Sequence, residues 1–220
     1  MIVAMPKAAP ARLDAKDRLI TSLDHGVRTI LGIYTAGRPS PATSGAGPAL
    51  DAEQARLSGA LMRVNHVGEI CAQALYQSQA LFSRDEQLRR HFEHAAQEEI
   101  DHLAWTRERV QQLDTHTSRL VPLWYGGAFV FGTLAGLAGD KLSLGFVVET
   151  ERQVEQHLAS HLDRLPAADQ TSRAIVEQMK QDEARHADEA QAAGATPLPA
   201  PVKGLMRLAA KVMTLTAHHI

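Results

Sequence analysis

Cysteine is almost missing from this chain. Cys71 stands alone, which excludes an intrachain disulfide and fits a reducing compartment. Net charge is close to nil, −2 over 220 residues, so the overall balance gives no case for nucleic acid as a partner. Residues 1–12 hold no apolar run of signal-peptide length. No Gly-rich dinucleotide loop occurs, and no stretch alternates β-branched and polar residues long enough to predict a strand. Two absences are local: residues 120–139 carry no charge, and residues 202–220 carry no acid. With 45% hydrophobic residues the chain can bury one good-sized core, which implies one domain with appendages.

What is present is helical. Residues 14–33 read as an amphipathic helix with Ile20, Leu23, Val27, Ile30 and Leu31 on one side. Residues 35–48, rich in Gly, Pro, Ser and Ala, read as a flexible linker, so residues 1–50 form an arm. Residues 51–220 then form one all-α domain, a helix bundle of two antiparallel hairpins. The first hairpin pairs residues 52–82 with 85–113, and the second pairs 143–165 with 168–193. This is a weak internal repeat.

Each hairpin carries the same pattern. Glu98-Glu99-Ile100-Asp101-His102 and Asp182-Glu183-Ala184-Arg185-His186 both contain Glu-x-x-His, and Glu69 and Glu151 precede the motif glutamates by 30 and 32 residues. Residues three apart on a helix lie roughly 60° apart, so both side chains can converge on one ion. The midpoint of Glu69 and Glu99 is residue 84, within Ser83-Arg84-Asp85-Glu86, a turn with a capping pattern. The midpoint of Glu151 and Glu183 is residue 167, beside Pro166, where a helix is interrupted. Each pair therefore sits level, roughly 23 Å from its turn at 1.5 Å per residue.

These acids also occupy apolar stripes. Leu144, Val147, Val148, Val154 and Leu158 surround Glu151; Val176, Met179, Ala187 and Ala190 surround Glu183 and His186; Phe92, Ala95, Ala96 and Leu103 surround Glu99 and His102. Buried carboxylates need compensating charge, and no Lys or Arg recurs on these faces in sufficient number. A pair of metal ions meets the requirement. The predicted ligands are Glu69, Glu99, His102, Glu151, Glu183 and His186, a set used by di-iron and di-manganese carboxylate bundles. Glu93, Glu108 and Glu177 suit solvated faces instead. Asn65, His66 and Tyr76 read as packing or capping residues, and Cys71 as a small core residue.

The uncharged segment 120–139 is long enough to be a membrane-span candidate, but it contains Pro122 and five glycines. A span there would also put Glu69, Glu99 and His102 on the opposite side of the bilayer from their partners. The expectation is an apolar crossover helix over 120–140, partly in the membrane interface, with Trp124 and Tyr125 near the headgroups. A buried crossover, packed closely through Gly132 and Gly136, is the other reading. In the tail, 200–220, Lys203, Arg207 and Lys211 recur every four residues among apolar neighbours, the pattern of a basic amphipathic helix on an anionic bilayer and equally of one that covers the bundle with its basic face outward.

Beyond pattern, particular stretches resemble a known family. Arg63-Val64-Asn65-His66-Val67-Gly68-Glu69-Ile70-Cys71-Ala72-Gln73-Ala74-Leu75-Tyr76, the two Glu-x-x-His segments, Glu149-Thr150-Glu151 and Val154-Glu155-Gln156-His157 are similar to the demethoxyubiquinone hydroxylase family, over residues 55–220. The resemblance implies a ferritin-like di-iron monooxygenase of ubiquinone biosynthesis. It implies two Fe ions per subunit, with Glu99 and Glu183 shared between them, Glu69 and His102 on one ion, and Glu151 and His186 on the other. O2 and a polyprenylated demethoxyubiquinol would be the substrates, and one oxygen atom would enter the ring. A peripheral protein on the cytoplasmic face of the bacterial inner membrane is implied, able to join an oligomer or a biosynthetic complex, with the electron donor left open.

Asp182 is expected to accept a hydrogen bond from His102, and Glu98 from His186. His157, two turns from Glu151, is a candidate for proton or electron movement, or a surface histidine. Iron oxidation and storage, and a non-catalytic membrane-bound scaffold, are the alternatives on the residues alone.

Overall fold

A computed structural model describes residues 14–42 and 49–220. Residues 1–13 and 43–48, the second half of the expected linker, lie outside the described residues. The described residues form seven helices and no strand: α1 Ala15–Leu31, α2 Ala52–Phe82, α3 Glu86–Gln112, α4 Val121–Leu137, α5 Asp140–Arg164, α6 Gln170–Ala192 and α7 Ala200–Ala217.

Helix ends follow local chemistry. Asp51 and Gln54 form a capping box at α2, and Asp85 accepts from Gln87 N–H and Leu88 N–H at α3. The turns fall where the midpoints of the glutamate pairs placed them. α2 pairs with α3 and α5 with α6, and α3 meets α6 across the bundle. α4 lies along α2, joining the hairpins.

That contact depends on two glycines. A Cβ at Gly132 would collide with Ser78 Oγ and come within 2.9 Å of Leu75 O, and one at Gly136 would come within 2.9 Å of Phe82 Cβ. Their absence lets α4 pack closely on α2. The opposite face of α4 stays open: Leu123, Val130, Phe131, Leu134 and Leu137 are exposed. The crossover is thus packed on one side and bare on the other. No helix among the described residues is long and apolar enough to cross a membrane.

Two large apolar clusters make up most of the core. Leu61, Met62, Trp105, Leu158, Val176 and Met179 fill one end; Tyr76, Phe92, Leu144, Val147 and Ala190 fill the other. Each fully buried large side chain contributes about 1.5–3 kcal/mol. Between the two clusters, at intermediate positions on α2, α3, α5 and α6, lies a buried layer of acids and histidines.

The arm is more ordered than its composition implies. After α1 the chain leaves through Gly32, whose φ of 70° suits glycine, and residues 33–42 run without regular structure, bending at 37–38 and 41–42, with Gly37 and Arg38 against α3. Gly37 N–H donates to Asp101 Oδ1 at 2.6 Å, so the first half of the expected flexible linker is bound to the bundle. The tail forms the expected helix, α7, and part of its basic side is engaged within the chain. Lys203 Nζ lies 2.8 Å and Arg207 Nη1 3.5 Å from Glu149 of α5, so two of the three regularly spaced bases reach an internal acid.

Candidate metal centre

Four helices bring six side chains to one spot. Glu69 comes from α2, Glu99 and His102 from α3, Glu151 from α5, and Glu183 and His186 from α6; all are at most 2% exposed. They form two overlapping groups: Glu69, Glu99, His102 and Glu183, and Glu99, Glu151, Glu183 and His186. Within each group one ligand atom per residue lies within 4.8 Å of all the others. Glu99 and Glu183 belong to both.

The imidazoles are oriented by acids on their far sides. His102 Nε2 lies 3.0 Å from Asp182 Oδ2, and His186 Nε2 lies 3.0 Å from Glu98 Oε2. An ionised carboxylate only accepts, so each Nε2–H donates, and a ring that is neutral turns its Nδ1 lone pair inward. His102 Nδ1 sits 2.9 Å from Glu99 Oε2, 3.3 Å from Glu183 Oε1 and 3.6 Å from Glu69 Oε2. His186 Nδ1 sits 3.2 Å from Glu99 Oε1 and 3.5 Å from Glu183 Oε2. Inward lone pairs facing carboxylate oxygens repel unless a cation or proton lies between them.

The donor set fits a metal on one further observation. Glu99 Oε1, Glu183 Oε2 and His186 Nδ1 are buried, yet lack a hydrogen-bond partner among the described residues. These atoms crowd together without the alignment a hydrogen bond needs, and buried orphans of this kind are rare in native proteins. Oxygen and imidazole donors of this mixture suit iron or manganese.

Without an ion the cluster holds protons. Burial pushes the Glu69 and Glu151 carboxyls well above the ordinary range. Burial would lower His102, but the Glu99 charge and the surrounding acids carry it well above its ordinary value. Burial raises Glu99 as well, and the His102 charge overrides this to hold it well below. A bound dication replaces these protons, so uptake releases them.

Some contributors were not expected. Tyr76 Oη donates to Glu151 Oε1 at 2.6 Å, from a position seven residues after Glu69 on the same face of α2. That spacing was the available signal. Arg185 reaches both outer acids, Glu98 Oε1 at 3.1 Å and Asp182 Oδ1 at 3.3 Å.

Beside the cluster lies an apolar groove of about 720 Å³ between α2, α4, α5 and α7. Cys71, Leu75, Trp124, Phe131, Val154 and Met213 line it. Gly68 and Thr150, the residues just before Glu69 and Glu151, also line it, so the groove runs along two of the helices that carry the cluster. Cys71 is only partly buried and helps form the groove wall. His157 lines the groove rather than the cluster, and its ring lies 4.0 Å from that of His161. Burial pushes His157 down to about 4 and His161 down to about 2. Asn65 also faces the groove, with its Oδ1 lacking a partner among the described residues.

Comparison with known proteins fits this arrangement. The model of the family described as "Ubiquinone biosynthesis protein COQ7" matches residues 56–217. The chain belongs to the COQ7 family. The matched region takes in all six clustered residues and the groove. A 3-demethoxyubiquinol 3-hydroxylase of Polaromonas sp. (strain JS666) is 59% identical over 206 residues, covering 94% of this COQ7-family chain and 99% of the relative. The enzyme of that name from Nitrosococcus oceani is 56% identical over 210 residues, covering 95% and 98%. A dodecameric thioferritin from Bacteroides fragilis is similar in structure, with a TM-score of 0.53 and 17% identity over 62% of this chain and 83% of that one. This last likeness establishes the ferritin-like fold alone.

Proposed function

We propose that the protein is a di-iron monooxygenase that hydroxylates the ring of a polyprenylated demethoxyubiquinol with O2, at a membrane surface. The observation that carries the reading is the pair of ligand groups sharing Glu99 and Glu183, set beside an apolar groove. The names of the relatives support the substrate class and the reaction.

In this reading Glu69 and His102 would hold one iron, Glu151 and His186 would hold the other, and Glu99 and Glu183, which belong to both groups, would serve both. When bound, a ferrous pair would supply two electrons and the activation that O2 needs; one oxygen atom enters the ring, the other leaves as water, and an external reductant returns the pair to the ferrous state. The chain's own residues do the rest. Asp182 and Glu98 orient the imidazoles, and Tyr76 fixes Glu151 in one rotamer. The groove receives the quinol with its isoprenoid tail, and its apolar wall excludes water from the reacting ring.

Access follows from the exterior. Withdrawing an isoprenoid tail from a bilayer costs about 0.8 kcal/mol per methylene, so the enzyme goes to the lipid. The bare face of α4 and the exposed Leu205, Leu208, Val212 and Leu215 of α7 flank the groove and form the lipid-facing surface. Because Lys203 and Arg207 are drawn to Glu149, apolar contact contributes more to this docking than charge. On the cytoplasmic face of a bacterial inner membrane, Lys211 adds attraction to anionic lipid. The same exposed faces argue against a soluble iron-storage shell.

The test is anaerobic purification with iron counting, followed by a short-tailed demethoxyquinol, a reductant and O2. Hydroxylated product is expected; its absence from fully iron-loaded protein overturns the enzyme reading. For the membrane part, the double variant Val130→Glu/Leu134→Glu is expected to lose liposome binding with iron content unchanged. Phe129 is less suitable for that test, because it stacks on Tyr125 at 6.1 Å between ring centroids. Unaltered liposome binding contradicts docking through α4.

A further inference from the structure

The segment after α1 is a strap with an unusual destination. Gly37 N–H and Arg38 N–H both donate to Asp101 Oδ1, at 2.6 and 3.2 Å. Arg38 Nε lies 2.5 Å from Asp101 Oδ2, its carbonyl accepts from Trp105 Nε1 at 3.3 Å, and its guanidinium lies 5.0 Å from the Trp105 ring centre. Upstream, Tyr34 Oη meets His66 Nε2 at 2.9 Å, and Arg107 donates to Gly32 O. The strap is therefore fixed to α2 and α3 at several points.

From that anchorage Arg38 extends one further contact. Its Nη2 lies 3.1 Å from Asp182 Oδ2, the same oxygen that accepts from His102 Nε2. A single guanidinium thus spans Asp101, next to His102 in the chain, and Asp182, which sets the His102 ring. The planar fork of arginine can hold two carboxylates in fixed relation, which the point charge of lysine cannot. Among the described residues the strap makes no such contact with the other half of the cluster: Glu98, which orients His186, is held from within the bundle by Arg185, which also reaches Asp182 Oδ1.

We propose that Arg38 is a positioning residue for metal binding, through which the docked N-terminal strap fixes Asp182 and the His102 ring, so that one of the two ion sites depends on the arm. This rests on the di-iron reading above. Removing an outer partner of a ligating histidine typically weakens metal binding about 10–100-fold. Because Gln178 Nε2 and Arg185 also reach Asp182 Oδ1, at 3.2 and 3.3 Å, the lower end of that range is expected here.

The experiment is anaerobic titration of the full-length protein with ferrous iron against a competing chelator, for wild type, Arg38→Ala and Arg38→Lys. Wild type is expected to take two ions. Arg38→Ala is expected to bind one ion with unchanged affinity and the other about tenfold more weakly. Arg38→Lys should show a smaller loss at the same site. The Mössbauer spectrum of the iron-loaded variants should show one doublet altered and one retained. Glu98→Gln is the mirror control, weakening the other ion. A merely structural strap would lower the melting temperature of Arg38→Ala and leave both affinities and the spectrum unchanged, which overturns the proposal. If Arg38→Ala does not fold, unchanged affinities in Arg38→Lys overturn it. Wild type that binds no iron defeats the di-iron reading instead, a distinguishable result.

Discussion

The two halves of the cluster are built from the same motif and supported differently. Around His102 the ring is fully buried, and its acceptor Asp182 is held by Arg38 of the arm, Gln178 and Arg185. Around His186 the acceptor Glu98 is partly exposed and held by Arg185. The upstream glutamates differ too. Glu151 accepts from Tyr76 of the opposite hairpin, whereas Glu69 faces the cluster's own His102, at 3.6 Å. An internal repeat can therefore set a symmetric ligand set while leaving the surroundings free to diverge. On the di-iron proposal, the surroundings would make the two ions inequivalent.

The sharpest way to break the comparison is to remove what both halves share. Glu183→Ala is expected to abolish binding of both ions and all hydroxylation, as read by iron counting and product assay. Retention of one tightly held ion would show that Glu183 serves one half alone. Next in size are the outer acids. Asp182→Asn and Glu98→Gln should each weaken one ion about 10–100-fold, Asp182→Asn the more strongly because His102, Arg38, Gln178 and Arg185 all lose their acceptor charge. Equal losses at both ions in either variant would contradict independent halves. Smaller again is Tyr76→Phe, which leaves Glu151 Oε1 without its donor. A stability loss of about 2 kcal/mol in chemical denaturation is expected, with both ions retained.

The last prediction contrasts cluster histidines with those outside. His102 and His186 are pushed up by their acids, whereas burial and then the neighbouring charges of His157 and Arg164 push His161 down. A histidine held neutral in the folded state leaves the unfolded chain as the better proton acceptor below about pH 6.5. Its contribution is therefore intact above that pH and is lost progressively as pH falls toward the folded value, about 2. The metal-free His161→Leu variant should gain on wild type by about 1.4 kcal/mol per pH unit below 6.5. A stability difference independent of pH would refute this.

Much of this was legible in the chain because helical geometry converts spacing into position. Equal distances from Ser83-Arg84-Asp85 and from Pro166 put Glu69 level with Glu99 and Glu151 level with Glu183. The i, i+3 step put His102 and His186 beside them. The neighbouring acids, Asp182 and Glu98, lie opposite the histidines that the motif order suggested. Tyr76 was legible in principle, seven residues from Glu69, but a phenol on an apolar stripe resembles ordinary core. Arg38 was not legible. Its segment has linker composition, and its order comes from Asp101, more than sixty residues away, which local pattern cannot reveal. The exposure of α4 was only half legible, since Gly132 and Gly136 favour packing on one face and leave the other undetermined.

The most direct measurement is anomalous X-ray diffraction at the iron edge from anaerobically iron-loaded crystals. Two peaks are predicted inside the bundle, both touching Glu99 and Glu183, one adding Glu69 and His102, the other Glu151 and His186. Iron found elsewhere, or none among these six side chains at full loading, would contradict the account.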